Sequence, residues 1–515
     1  MNKFKFTVVG GGTAGWLTAL YLQKNHKDCD ITVIASSEIG ILGAGEGTTT
    51  HFIDFLKSID VPISGIVKYA KGTLKNGIKF TNWNGDGEYY YHSFTDILEN
   101  LESVRQKDNF DFVPYYLDNI SEGKNLNDIL LTSLISDKFQ VKHDKETKST
   151  KGTYALHFDA SLLAKYLQSL ALERGVVLID DEIISINCDD ENKITGFNLK
   201  KGTEHFTDYV FDCSGFKRLL VGNHYKTKWI SYKDHLPVNR AMPFFVQDDS
   251  KEIPPYTEAI AMKYGWIWRI PVQGRYGCGY VFDSSFVSDE EVKKEIEEYF
   301  GHEIVSPRIF TFEPGVYDKV CIKNCMGIGL SSGFVEPLEA TSIWVSILLL
   351  NEWGKRSKDI MNCNENSIDY LNRLAKDINR NILNFLQYHY ITKRSDSDFW
   401  KTFTTKNKKL PMLHDLDELN KNTIPKEYDF KYLSMLDSNR IGGNQDFNGV
   451  FSESSWHQVG SGVRFFNKEI AKSMLKTEYP KFNRTDFDMP TAFQINSEKL
   501  FFHQEYLEHL INEHN

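Results

Sequence analysis

"FKFTVVGGGTAGWLTALYLQK", Phe4–Lys24, decides the fold. Aromatic and β-branched residues carry an extended strand through Val9, and Leu17, Leu20 and Tyr21 then mark a helix. Between them Gly10, Gly12 and Gly15 fill a G-x-G-x-x-G. The first glycine permits a tight turn, the second lets backbone N–H groups approach a pyrophosphate, and the third allows close helix packing. The helix N-terminus turns its partial positive charge toward the phosphates. "CDITVIAS", Cys29–Ser36, follows as the second strand of a βαβ unit. Dinucleotide binding is the reading. The acid that usually holds a ribose at the end of that strand is replaced by Ala35, Ser36 and Ser37, which leaves Glu38 as a displaced substitute or the ribose loosely held.

Next comes "LGAGEGTT", Leu42–Thr49, a second glycine-rich segment with one acid, Glu46. FAD sites recruit such distant loops more often than simple nicotinamide sites do, so FAD is favoured over NAD. Further on, "KYGWIWRIPVQG" places Trp266 and Trp268 two apart. On a strand they share one side and form an apolar wall.

The 515 residues suffice for two or three closely packed subdomains, and 41% hydrophobic with 25% charged residues is the composition of a folded chain. A net charge of -10 without a basic stripe argues against nucleic-acid binding. "KHDKETKSTKG", Lys142–Gly152, reads as a solvated loop of mixed sign. Seven cysteines without repeated spacing make no disulfide framework. The C-x-x-x-C of Cys321 and Cys325 lacks nearby histidines and reads as buried thiols, so no metal is expected and the compartment is a reducing, cytoplasmic one. The longest apolar run, Thr341–Trp353, falls short of the about 20 residues that span a bilayer and reads as a buried helix. The glycine cluster at 10–15 likewise argues against a signal peptide, so no membrane association is expected.

The motifs "GGGTAGW", "GAGEGTT", "TLKNGIKFTNW", "YHSF", "HFDASLLAKYL", "DCSGF", "GWIWRIP", "FVEPLEATSI" and "RSDSDFW" stand in this order between about residues 4 and 400. In order and spacing they resemble the flavin-dependent halogenases of the tryptophan halogenase type. The resemblance implies an α/β fold with an FAD-binding, Rossmann-like core of the flavin monooxygenase kind. It also implies the reaction: reduced FAD and O2 oxidise a halide ion to hypohalous acid, which passes through a tunnel to a lysine beside an aromatic substrate.

Lys75 matches the catalytic lysine, and Glu339 the glutamate near it that orients the halogenating species, stabilises the cationic ring and takes its proton. Lys71, Lys79 and Glu336 are the neighbours that composition alone cannot separate from them. Thr341 and Ser342 match positions whose N–H groups hold the halide, although Ala340 stands for the usual serine and Ser342 for the usual glycine. Trp266 and Trp268 match a wall between flavin and substrate, and His92 and Phe94 match rings that flank the substrate. For the cofactor the resemblance points to Gly10, Gly11, Gly12, Thr13, Ala14, Gly15, Ala35, Ile39, Glu46, Gly47, Ile183, Leu330 and Ile343.

The implied organisation is a halogenase core over 1–400, with dinucleotide-binding segments at about 1–85, 155–220 and 320–355, and a covering mixed sheet at about 225–320. A mainly helical part over 401–515 closes the substrate pocket. No second nicotinamide-binding unit is found, so a separate NAD(P)H-dependent flavin reductase is the expected partner, and a homo-oligomer is left open. Ser452, Glu453 and Trp456 do not reproduce the clamp that fixes the amino-acid end of tryptophan in relatives. The expected substrate is therefore another small electron-rich arene, with bromide or iodide favoured over chloride. The rival readings are a flavin-dependent aromatic monooxygenase and an inactive FAD-binding protein.

Overall fold

The structure, a computed structural model, describes residues 3–38, 45–94, 113–236, 238–248, 250, 252–403, 408–484 and 497–514. Lys5–Val9 lies in a six-stranded sheet of order Cys321–Ile322, Cys325–Gly327, Tyr209–Asp212, Lys5–Val9, Asp30–Ala35, Val177–Asp180. Every pair is parallel except the Cys321–Gly327 hairpin at the edge. Phe6, Val8, Val33 and Phe211 are fully buried, as strands covered on both faces require.

From Lys5–Val9 the chain moves to one neighbour, Asp30–Ala35, and returns much later on the other side as Tyr209–Asp212. The crevice at this reversal is where open α/β sheets bind ligands. Two glycines there are obligatory. Gly10 has φ +120° and a Cβ on it would stand 2.2 Å from the Cys213 carbonyl oxygen, while a Cβ on Gly15 would stand 1.9 Å from that of Gly10. Asp212 closes the crevice by accepting from the N–H groups of Ser214, Leu220 and Val221 at 3.1, 2.8 and 2.9 Å.

The covering sheet has seven strands and is mixed, with a single parallel pair between Tyr256–Ala261 and Gly77–Thr81. It reaches beyond the expected 225–320: Gly77–Thr81 and Tyr89–Ser93 extend it from the first segment of the chain. A third sheet joins Gly45–Gly47 and Thr73–Lys75 on either side of Ala155–Asp159, which brings the second glycine segment and Lys75 together. The solvated reading of Lys142–Gly152 holds for 146–151, which are exposed, and is corrected at its first three residues. Lys142, His143 and Asp144 belong to the strand Gln140–Asp144 and are buried, with the Lys142 ammonium donating to the carbonyls of Phe94 and Thr153.

Beyond residue 400 helices predominate, among them Pro411–Leu419, Glu427–Arg440, Glu453–Gly462, Lys468–Glu478 and His503–Glu513. All of these but Lys468–Glu478 share one apolar core with the parallel sheet, in which Phe6 and Val8 belong to the same cluster as Leu371, Phe385 and Trp456, while Ala471 and Met474 of Lys468–Glu478 pack in a separate cluster with Leu117 and Ile120. One late strand, Leu500–Phe502, pairs with Gln140–Asp144. It delivers His503 to the strand of Lys75: the Leu74 N–H donates to His503 Nε2 at 2.8 Å, and His503 Nδ1 donates to the Ile253 carbonyl at 2.9 Å. Cys321 and Cys325 are buried and free. Among the described residues no helix is long and apolar enough to cross a membrane, and no three metal-binding side chains converge.

Candidate active site

Gly12 caps the helix Thr13–Asn25 with extended backbone and no side-chain hydrogen bond, so the first N–H groups, from Thr13 and Ala14 onward, face the crevice. A Cβ on Gly12 would meet nothing within 4 Å, unlike those on Gly10 and Gly15, and Gly11 would press on Ala35 Cβ at 2.8 Å. Gly329, at φ +70°, would touch Ala14 Cβ at 2.9 Å, which sets Leu330 beside the same turn. Ile183 opens a strand just after Asp181, whose N–H donates to the Ala35 carbonyl at 3.2 Å. Ser37 donates to Asp180 through its N–H and Oγ, both at 2.8 Å, while Glu38 is exposed and lies 3.5 Å from Lys200 Nζ. Ile39 lies outside the described residues.

Glu46 and Gly47 pair with Phe158 and His157. Burial, with the charge of Asp159, raises the Glu46 carboxyl to about 7. A Cβ on Gly45 would stand 3.3 Å from Gly277 Cα, so the glycine segment lies close against the covering sheet. In that sheet the Trp266 and Trp268 rings lie 6.3 Å apart, and the Trp268 ring occupies the space a Cβ on Gly279 would need, at 2.0 Å. Thr49 Oγ1 and Trp268 Nε1 are buried without a hydrogen-bond partner among the described residues. An open phosphate cradle, an uncapped helix N-terminus and two orphaned donors fit a bound FAD.

Lys75 is fully buried, donates to the Thr48 carbonyl at 3.1 Å, and stands 5.2 Å from the centre of the Phe94 ring. Burial lowers its ammonium to about 8 against the opposing charge of Glu339. A Cβ on Gly47 would stand 3.2 Å from Lys75 Nζ, 3.3 Å from Thr257 Oγ1 and 3.4 Å from His157 Cδ2, so Gly47 keeps open the space beside the ammonium.

Glu339 is buried between two histidines. His92 Nδ1 lies 3.0 and 2.9 Å from its oxygens, and His389 Nε2 lies 2.8 Å from Oε1. Burial would raise this carboxyl; the two imidazoles more than offset that and hold it below the ordinary carboxylate range. Glu336 goes the other way. Burial lifts it to about 8, with Tyr390 Oη donating at 3.1 and 3.2 Å. Two acids three residues apart are thus separated by environment, one ionised and one largely neutral near pH 7.

Thr341, Ser342 and Ile343 open the helix Thr341–Lys355. Its cap is Ala340 at φ +54°, a left-handed conformation that L side chains seldom adopt, and no side chain caps the helix. Lys75, Phe94, His92 and Glu339 therefore meet in one cluster, and Trp266 reaches it through Trp83, whose ring lies 6.4 Å from both Trp266 and His389. His389, Tyr90 and His503 were not anticipated. The available signal for His389 was its place four residues after Phe385, on the buried face of a helix.

Residues 5–478 match the sequence model of the family described as "Tryptophan halogenase". The chain is 30% identical over 441 residues to the tryptophan 6-halogenase SttH of Streptomyces toxytricini, covering 79% of this chain and 82% of that protein. It is 31% identical over 442 residues to the tryptophan 7-halogenase RebH of Lentzea aerocolonigenes, covering 80% of each. Among solved structures it resembles Tar14, a tryptophan C-6 flavin-dependent halogenase (chlorinase) from taromycin biosynthesis, with a TM-score of 0.83 at 25% identity over 99% of this chain and all of that one. The chain therefore belongs to the tryptophan halogenase family of flavin-dependent enzymes.

Proposed function

We propose that the protein halogenates a small electron-rich arene other than free tryptophan, using reduced FAD delivered by a separate reductase. The observation that carries this reading is the enclosed meeting of Lys75, Glu339, His92 and Phe94. Bound reduced FAD, with oxygen, supplies the oxidant that turns halide into hypohalous acid. Gly10 to Gly15, Ala35, Glu46, Gly47, Ile183, Leu330 and Ile343 would hold the cofactor, and the N–H groups of Thr341 and Ser342 would hold the halide. Trp266 and Trp268 keep the arene from the cofactor. Lys75 presents hypohalous acid to the ring as a hydrogen-bond donor, and the negative Glu339 favours both that ammonium and the positive charge that develops on the ring.

The substrate reading rests on the end of the chain. Ser452 is used as the cap of Glu453–Gly462, accepting from the Ser455 N–H at 3.2 Å. Trp456 is 1% exposed and stacked on Phe430 at 5.3 Å. Neither is left to clamp an amino acid. With the Ala340 and Ser342 departures beside the halide position, bromide and iodide, which shed water more readily, should be used in preference to chloride. The test is mass spectrometry of indoles, phenols and free tryptophan incubated with protein, FAD, reductase, oxygen and equal halide concentrations. Bromination exceeding chlorination is expected; single-position chlorination of free tryptophan in preference to all else would refute the reading.

Two variants probe the cofactor side. Gly12→Ala should fold with an unchanged melting temperature in the absence of FAD, because its methyl group meets only open space. Its FAD affinity should fall about tenfold, about 1.4 kcal/mol, in a fluorescence titration. Trp268→Ala should weaken halogenation without converting it to hydroxylation, since removing one ring does not rebuild the geometry over the cofactor. Chromatography of products with and without halide separates the two outcomes.

A further inference from the structure

His92 is bound on one side only. Its Nδ1 is taken up by Glu339, and no hydrogen bond to Nε2 is formed among the described residues. Tyr90 Oη lies 3.2 Å from His389 Nδ1, and burial holds that phenol protonated. Glu339, held ionised, can only accept, so His92 donates to it from Nδ1 while His389 turns Nε2 toward it at 2.8 Å. A carboxylate held ionised between two imidazoles is a weak base. An imidazole anchored through Nδ1 to a carboxylate presents an oriented Nε2 that can take up a proton. His92 also stands against Phe94, the ring that faces Lys75, at 6.2 Å between centroids.

We infer that His92 Nε2 is the base that removes the proton from the halogenated ring, and that Glu339 orients it. The inference rests on the reading of Lys75 as the group that presents hypohalous acid. In the first step a π pair of the arene forms the carbon–halogen bond while the halogen–oxygen bond breaks with its pair on oxygen. The leaving hydroxide takes a proton from the Lys75 ammonium and departs as water. In the second step the tetrahedral carbon passes its proton to His92 Nε2, and the carbon–hydrogen pair restores the aromatic ring. The imidazolium returns the proton, through solvent, to the neutral Lys75. The sum is arene plus hypohalous acid giving haloarene plus water. Glu339 is on this account a positioning residue, with His389 and Tyr90 behind it.

The test uses the full chain with reductase, FAD, bromide and a competition between phenol and ring-deuterated phenol. Wild-type protein should show almost no isotope discrimination. His92→Ala should lose about 100-fold in turnover, show a normal primary isotope effect, and recover turnover with added imidazole. His92→Asn, which keeps a donor toward Glu339 but has no base, should bind FAD normally and show the same isotope effect. Glu339→Ala should not be rescued by formate. A His92→Asn variant that brominates without an isotope effect, or rescue of Glu339→Ala by formate with no imidazole rescue of His92→Ala, would overturn the assignment while the lysine reading stands. No brominated product from wild-type protein with any arene would overturn the lysine reading, and this base with it.

Discussion

Replacing Lys75 with alanine should lower arene halogenation about 1,000-fold or more while the reoxidation of reduced flavin continues. The ammonium is fully buried, tied to the Thr48 carbonyl, and set over Phe94 in a cluster that also holds Glu339. The lysines nearest to it in sequence are placed differently. Lys71 is exposed, and Lys79 points to the opposite side, with its ammonium 3.7 Å from the centre of the Tyr89 ring. Alanine leaves a cavity of apolar and carbonyl surface that cannot donate to hypohalous acid. The acid should then leave and be trapped in solution by a reactive diketone. Stopped-flow reoxidation and product chromatography on the same samples check both halves. Loss of reoxidation along with halogenation would show that oxidant formation and halogen transfer are not separate.

Glu339→Gln should lower product formation about 100-fold, with FAD binding retained. The change removes the charge that supports the Lys75 ammonium, so that ammonium becomes more acidic still. It also breaks the symmetry of the clamp. The amide oxygen can accept from one histidine, but the NH2 group meets the N–H of the other, so one imidazole must change its tautomer or give up its bond. A buried donor left unmatched in this way costs about 1–3 kcal/mol, readable as a lower melting temperature. Unchanged turnover would remove the assigned role. Glu336→Gln is the control: that carboxyl is already largely neutral near pH 7, and the amide oxygen still accepts from Tyr390, so little should change.

What could be read from the sequence was the local chemistry. The turn at Gly10 to Gly15 is dictated by sterics within a few residues and one contact with Cys213, and its glycines announce it. Trp266 and Trp268 share a face because strands alternate. Lys75 needed the family resemblance, since buried lysines and surface lysines look alike in composition. The rest depends on partners far away in the chain. Nothing near Gly77–Thr81 indicates that it pairs in parallel with Tyr256–Ala261, and nothing near Lys142 shows that the carbonyls of Phe94 and Thr153 await its ammonium. The histidine clamp on Glu339 joins strand, loop and helix from three regions, so only the folded chain reveals that the carboxylate is held from both sides.

The bond from Leu74 to His503 spans 429 positions, and it has a temporal meaning. The hydrogen bond on the N–H one residue before Lys75 cannot form until His503 exists and has left the ribosome. At about 5–20 residues per second, that interval lasts roughly 20 to 90 s after Leu74 is made. The strand carrying Lys75 can pair with Ala155–Asp159 early in synthesis, while that one N–H waits for the final part of the chain. His503, at the start of the helix His503–Glu513, is thus the last residue to arrive at the strand of Lys75.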